Sequence, residues 1–194
     1  EHVVKLVPPP AGRERGEEGW LRLTGGDATD GWSFEGWELV DAELDPDDPS
    51  KLRVMKGVYA LTNTASDAPG NYTSKQVFGD AAIPAEFMLP EGGDSGRLLM
   101  GRYEIDRRDS ESSRELTPER CGGIPATADT PGQAPRFHAY SNEGLWHELD
   151  IDFQAPRFDA SGAKVENARI LRVKMDDTLL HENVELTGPT RGLE

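Results

Sequence analysis

The sequence predicts an all-β fold, with antiparallel strands packed as a sandwich or barrel. Three observations predict it. Apolar residues come in short runs of strand length, several of these alternate with period two, and Gly-, Pro- and Asp-rich turns separate them. Long helical periodicity is absent, and "SSRELTPERC" (112–121) has room for one helical turn at most. At 194 residues the chain fits one such domain, since β-sandwiches and barrels commonly reach about 200–250 residues.

Each element has its own signal. Residues 1–18 carry three consecutive prolines and then a charged run, which reads as an extended N-terminal arm in polyproline II conformation, leaving 19–194 for the domain. Strands are expected in "WLRLT" (20–24), "GWELVDAEL" (36–44), "KLRVMKGVYALTN" (51–63) and "AAIPAEFMLP" (81–90). Further strands are expected in "RLLMGRYEID" (97–106), "LWHELDIDF" (145–153), "NARILRVKM" (167–175) and "TLLHENVEL" (178–186). Leu52 and Val54, then Val58 and Ala60 beyond Gly57, alternate, as do Leu149, Ile151 and Phe153. Turns fall at "DPDDPS" (45–50), "DAPGN" (67–71), "PEGGDSG" (90–96), "DASGA" (159–163) and "MDD" (175–177). The stretch 110–140 is long for a loop in such a domain, and loops of that length are usually functional or mobile.

Charge narrows the partners. The formal net charge of -15 argues against nucleic acid or an anionic membrane surface. No apolar run approaches the roughly 18 residues of a membrane span. A single cysteine, Cys121, leaves no intrachain disulfide. A start at Glu1 rather than Met points to a removed signal peptide or a piece of a longer chain.

The chemistry concentrates in "GRYEIDRRDS" (101–110). On a strand, Arg102, Glu104, Asp106 and Arg108 share one face and Tyr103, Ile105 and Arg107 the other. Glu104 and Asp106 then have Cα atoms about 6.5–7 Å apart, a spacing that modest rotamer adjustment brings to the roughly 5–5.5 Å of a catalytic carboxyl pair. The same pattern also describes a salt-bridge ladder on a wet sheet face. Trp146 and His147 pair an aromatic platform for a sugar ring with a group that titrates near neutrality; the alternative is a partly buried Trp beside a solvent-facing His. His2, His138 and His181 show no metal-site spacing. A divalent metal such as calcium has candidate ligands only in the acidic turns "DPDDPS" and "MDD".

Several ordered motifs together resemble a family. They are "GWLRLTGGDATDGW" (19–32), "TSKQVFGDAAIPAEFMLPEGGDSGRLLMGRYEIDRRDS" (73–110), "CGGI" (121–124), "LWHELDIDFQAPRFDASGAKVENARI" (145–170) and "HENVELTGPTRG" (181–192). The sequence is similar to the 3-keto-disaccharide hydrolase family over roughly residues 19–192. The resemblance implies a concanavalin A-like jelly-roll sandwich of two antiparallel sheets and a secreted, periplasmic or surface protein of a bacterium acting on carbohydrate. This chain departs from the family pattern at Asp94 (for Asn), Asp106 (for Gln) and Pro125 (for an aromatic). Relatives also continue beyond the Gly-Pro-Thr segment into a last strand, so an open sheet edge is expected, to be met by missing residues or by a second chain there or along the arm.

If the family activity holds, a ketone at C3 acidifies the C2 hydrogen, a base removes it, the C1 substituent is eliminated and water adds back. The expected catalytic residues are Glu104, His147 and Asp106, with Arg102, Lys75 and Trp146 binding substrate. The reading from another class is a non-catalytic glycan-binding or structural module.

Overall fold

The computed structural model describes residues 3–5, 31–34, 36–58, 60–63, 70–110, 115–140 and 144–191. Every element among them is a β-strand and every pairing is antiparallel. The all-β antiparallel class of a jelly-roll sandwich is therefore present. The strand expected at 20–24, the Pro-rich part of the arm and most of the turn at 67–71 lie outside the described residues. The chain forms two compact units, Glu1–Val77 with Pro84–Gly93 and Glu143–Trp146, and Phe78–Ile83 with Asp94–Asn142 and His147–Glu194.

In the first unit, β1 (Val3–Lys5), β3 (Glu38–Leu44), β4 (Leu52–Lys56), β5 (Ala60–Thr62) and the 84–88 part of β7 (Ala81–Met88) pair in the order β7-β1-β5-β3-β4. Val3 thus lies opposite both Thr62 and Met88, so the start of the segment read as an arm is a strand. The small pair β2 (Trp32–Phe34) and β6 (Tyr72–Ser74) lies in the same unit, with Tyr72 ringed by Trp32 and Trp37 at 5.1 and 4.8 Å. The run 51–63 is not one strand. β4 and β5 flank β3 on opposite sides, and β4 is outermost, which leaves Val54 and Val58 exposed while Leu52 and Ala60 are buried. Gly57 sits between them because a Cβ there would overlap Asp41. Val40, Leu52, Ala60 and Met88 form the core, with Trp146 packed on it.

In the second unit, β10 (His147–Gln154), β13 (Ala168–Met175) and β14 (Thr178–Leu186) form a sheet in that order. Leu149, Ile151 and Phe153 point inward as the alternation requires, meeting Ile170, Val173 and Met175, all essentially without exposure. Short strands β11 (Arg157–Phe158) and β12 (Lys164–Glu166) pair beside them in sequence.

The run 97–106, expected as one strand after a turn at 90–96, is instead a hairpin of β8 (Asp94–Leu99) and β9 (Tyr103–Arg108). Met100 and Gly101 at its tip both have positive φ, 54° and 68°, the signature of a tight type I′ connection. Tyr103 and Ile105 turn into the core, where the Tyr103 ring meets Phe153 at 5.6 Å. Residues 115–140 contain no strand and no helix, and are tied down by isolated bridges such as Ile124 with Gln133.

Truncating Ile151, 1% exposed at the centre of the inward row, to Ala should lower unfolding free energy by roughly 2–5 kcal/mol. Urea denaturation measures it, and a loss below about 1 kcal/mol would show that this row is not the core.

Candidate functional site

The two faces of the β8–β9 hairpin do different jobs. Cross-strand partners are Asp94 with Arg108, Gly96 with Asp106 and Leu98 with Glu104, so these six share the face opposite Tyr103 and Ile105. Ser95 and Arg107 share the inward face, where the buried Arg107 guanidinium donates to the Ser95 hydroxyl and the Gly96 carbonyl, both at 3.0 Å.

On the outer face, Glu104 and Asp106 meet one cation, Arg191. Its Nε lies 2.6 Å from Glu104 Oε2, and its Nη2 donates to Asp106 Oδ2. Glu104 has a side chain 13% exposed, and Asp106 is fully buried. The absence of a side chain at Gly96 makes room: a Cβ there would stand 2.1 Å from Glu104 Oε1. Burial pushes the Asp106 carboxyl up to about 7, helped by the nearby Asp94 and Glu104 and opposed by Arg191 and Arg108. The ion pair alone would lower it, so at this site desolvation outweighs pairing. Asp106 Oδ1 is buried with no hydrogen-bond partner among the described residues.

The free edge of β9 is closed by two other segments. Thr190, fully buried, donates its amide to the Arg102 carbonyl and accepts the Glu104 amide on its hydroxyl. The Asp106 amide donates to the Gly123 carbonyl, and the Gly122 amide donates back to Asp106. Gly122 has φ 82°, a conformation glycine adopts without strain. Its carbonyl accepts from His181, whose burial depresses its pKa, so the ring is held neutral as a donor. The "CGGI" and "GPTR" motifs thus serve one strand.

The other sequence-derived candidates have different settings. Arg102 is an exposed turn residue ahead of β9 and not a member of its charged row. His147 is not solvent-facing. It heads the inward row of β10, ringed by Tyr140 at 4.8 Å, and its Nδ1 is 2.6 Å from Asp176. Asp176 also accepts the Glu148 amide, so this pair fastens a turn. Lys75 and Trp146 fall in the first unit, Lys75 exposed and Trp146 half-buried on that unit's core. Arg191 and Gly96 were not singled out, since Arg191 is 85 residues from Asp106 and no local periodicity connects them.

The acidic turns do not gather metal ligands. Asp48 accepts Ser50 and pairs with Lys51, Asp176 serves His147, and no three His, Cys, Asp or Glu residues converge among the described residues. A separate polar groove of about 420 Å³ is lined by Gln154, Val165, Glu166, Asn167, Arg169 and Glu185, away from Glu104 in sequence and lining.

Two outcomes follow from this geometry. Gly96→Ala should displace the Glu104 carboxylate while leaving the hairpin folded, seen as a changed Glu104 side-chain resonance with Tm within a few degrees of wild type; an unmoved resonance would mean that Gly96 sets no space. Because the folded Asp106 value is raised above the unfolded 3.8, its stabilising contribution is complete at acid pH and fades as pH rises through about 7. Asp106→Asn should therefore gain stability relative to wild type between pH 5 and pH 8, and parallel Tm profiles would contradict the buried acid.

The model of the 3-keto-alpha-glucoside-1,2-lyase-like domain matches residues 19–194. No curated protein matches. A crystal structure from Parabacteroides distasonis, described as a "putative glycosyl hydrolase", superposes with a TM-score of 0.60 at 22% identity. The match covers 89% of this chain and 68% of that one, a likeness of fold. The family match runs through the β8–β9 hairpin, the Gly122–Gly123 segment and Arg191, and the chain belongs to the family of 3-keto-alpha-glucoside-1,2-lyase-like domains, a carbohydrate-related family.

Proposed function

We propose that this protein cleaves 3-keto-glycosides by elimination, with Glu104 as the proton-transferring group. The observation that carries the reading is the carboxyl pair on one face of β9. Glu104 is partly open to solvent and held by Arg191, while Asp106 is buried beside it and pushed up to about 7. Neighbouring acids whose environments differ in this way are a recurrent feature of acid–base sites. With Asp106 holding a proton over much of the neutral range, the single charge of Arg191 is matched by Glu104, which keeps one carboxylate available as a base.

The chemistry balances on that one group. A C3 ketone lets the C2–H bond ionise to an enolate; Glu104 takes the proton, the C1–O bond breaks, and the same proton goes to the leaving oxygen. Water then adds across the C1–C2 double bond. General acid–base catalysis of this kind contributes about 10²–10⁴-fold. Export to the periplasm or cell surface of a bacterium belongs to the same proposal, where glycosides are met outside the cytoplasm.

A glycan-binding module without turnover is the second reading, favoured by the polar groove, whose Gln154, Asn167 and Arg169 offer hydrogen bonds to hydroxyl groups. One experiment separates them: the protein is incubated with 3-keto and ordinary glycosides, with and without divalent metal. Turnover confined to keto sugars, and reduced roughly 10²–10⁴-fold in Glu104→Gln at unchanged Tm, is the expected outcome. Equal turnover by Glu104→Gln would remove Glu104 from the mechanism, and binding without turnover would favour the module.

A further inference from the structure

We infer that Arg191 is the positioning residue of this site, a guanidinium fork that aims Glu104 and is itself aimed by the turn at Thr190. The inference rests on the carbohydrate-cleaving reading above.

Contacts to two other segments, around Thr127 and at the start of β9, fix where Arg191 begins. Its amide donates to the Ala126 carbonyl at 2.8 Å, Thr190 bridges Thr127, and the Thr190 hydroxyl both accepts the Glu104 amide at 2.9 Å and donates to Arg102 at 3.2 Å. Upstream, the Thr187 hydroxyl meets Thr130 at 2.6 Å, and its carbonyl accepts from Lys164 at 2.6 Å. Arg191 itself has φ 52°, a left-handed conformation rare for a residue with a side chain. The anchors at Arg191 and before it hold the backbone in that turn, and the turn sends the side chain back over β9.

Chemistry selects arginine at the end of that turn. The acceptors are two carboxyl groups at i and i+2 of a strand, reached by Nε and Nη2 of one planar group. A lysine is a point charge and cannot hold both in fixed directions. Gly96 closes the opposite side of Glu104, where a Cβ would overlap Oε1. Glu104 is thus held between a space that only glycine leaves and a fork that only arginine supplies. Asp106 is the second leg of the fork. Without it one guanidinium nitrogen would lose its acceptor and the Nε–Glu104 direction would relax.

The test uses Arg191→Gln and Arg191→Lys in the full chain, with two readouts. In ¹³C NMR with labelled carboxyl groups, Asp106 should titrate higher in Arg191→Gln than in wild type, because the neighbouring positive charge is gone. In kinetics on a 3-keto-glucoside, both variants should lose kcat by roughly 100-fold, the scale of a misplaced catalytic group, with KM nearly unchanged. Arg191→Lys should restore the Asp106 titration but not the rate. A merely structural role would lower Tm and leave kcat of the folded protein unchanged; an unchanged kcat in both variants, or an unmoved Asp106 titration in Arg191→Gln, overturns the inference. Should wild type turn over no keto-glycoside while the titration shifts as expected, the functional reading fails and the role of Arg191 as the fork on this carboxyl pair stands.

Discussion

The structure around the site follows from one constraint: a strand that carries carboxyl groups has been given a closed edge and a buried face. Asp106 in the middle of β9 has no exposure, and an unpaired carboxylate in such a place is strongly unfavourable. The protein answers in two ways. It brings Arg191 from the far end of the sequence to meet the carboxyl, and it leaves the group easy to protonate near neutrality, with a pKa pushed up to about 7. Gly122 and Gly123 can then approach the backbone of Asp106, and Thr190 the backbone of Glu104, so that β9 is paired along both edges.

The hairpin shows why one short strand can serve core and site together. Period-two alternation sends Tyr103 and Ile105 into apolar packing and sets Glu104 and Asp106 on the reverse. Packing of the first pair fixes the height and direction of the second. The partner strand repeats the division: Ser95 steadies the buried Arg107, and Gly96, one residue on, leaves the space Glu104 fills. A residue slip would exchange these roles, and the tight Met100–Gly101 tip, with both φ values positive, opposes such a slip.

Much of this was legible in the sequence, for reasons that can be named. Leu149, Ile151 and Phe153 alternate because β10 is buried on one face only, and the structure keeps that pattern. Glu104 and Asp106 share a face because any strand through them must place them so. Three readings went astray where local pattern competes with longer-range order. The run 97–106 hides a turn at Met100–Gly101, since Met is not a usual turn residue; Asp94–Gly96 looks like a turn but is strand. For His147 the expected alternative to a proton-transferring group is a solvent-facing ring, yet the structure buries it in the inward row, bonded to Asp176. Val54 and Val58 alternate around Gly57, but strands β4 and β5 lie on either side of β3, so the register of one says nothing of the other.

Arg191 marks where reading along the chain runs out. Its partners are set by topology: the segment after β14 must return beside β9 before any side chain from it can reach Glu104. No window of sequence contains both ends of that contact, although both lie within the span that the family model matches. The ordered motifs therefore carry more than the sum of their pieces. "GDSG" supplies the space, "RYEID" the acids, "CGG" the edge and "GPTR" the cation, and four weak signals spread over nearly a hundred residues become one arrangement of charge. On this face a surface ion pair, Arg108 with Asp94, stands beside a buried acid and a partly open one that share a single guanidinium. That asymmetry, rather than the number of charges, is what the functional reading draws on, because unequal burial is one of the causes that drive like groups apart in their titration.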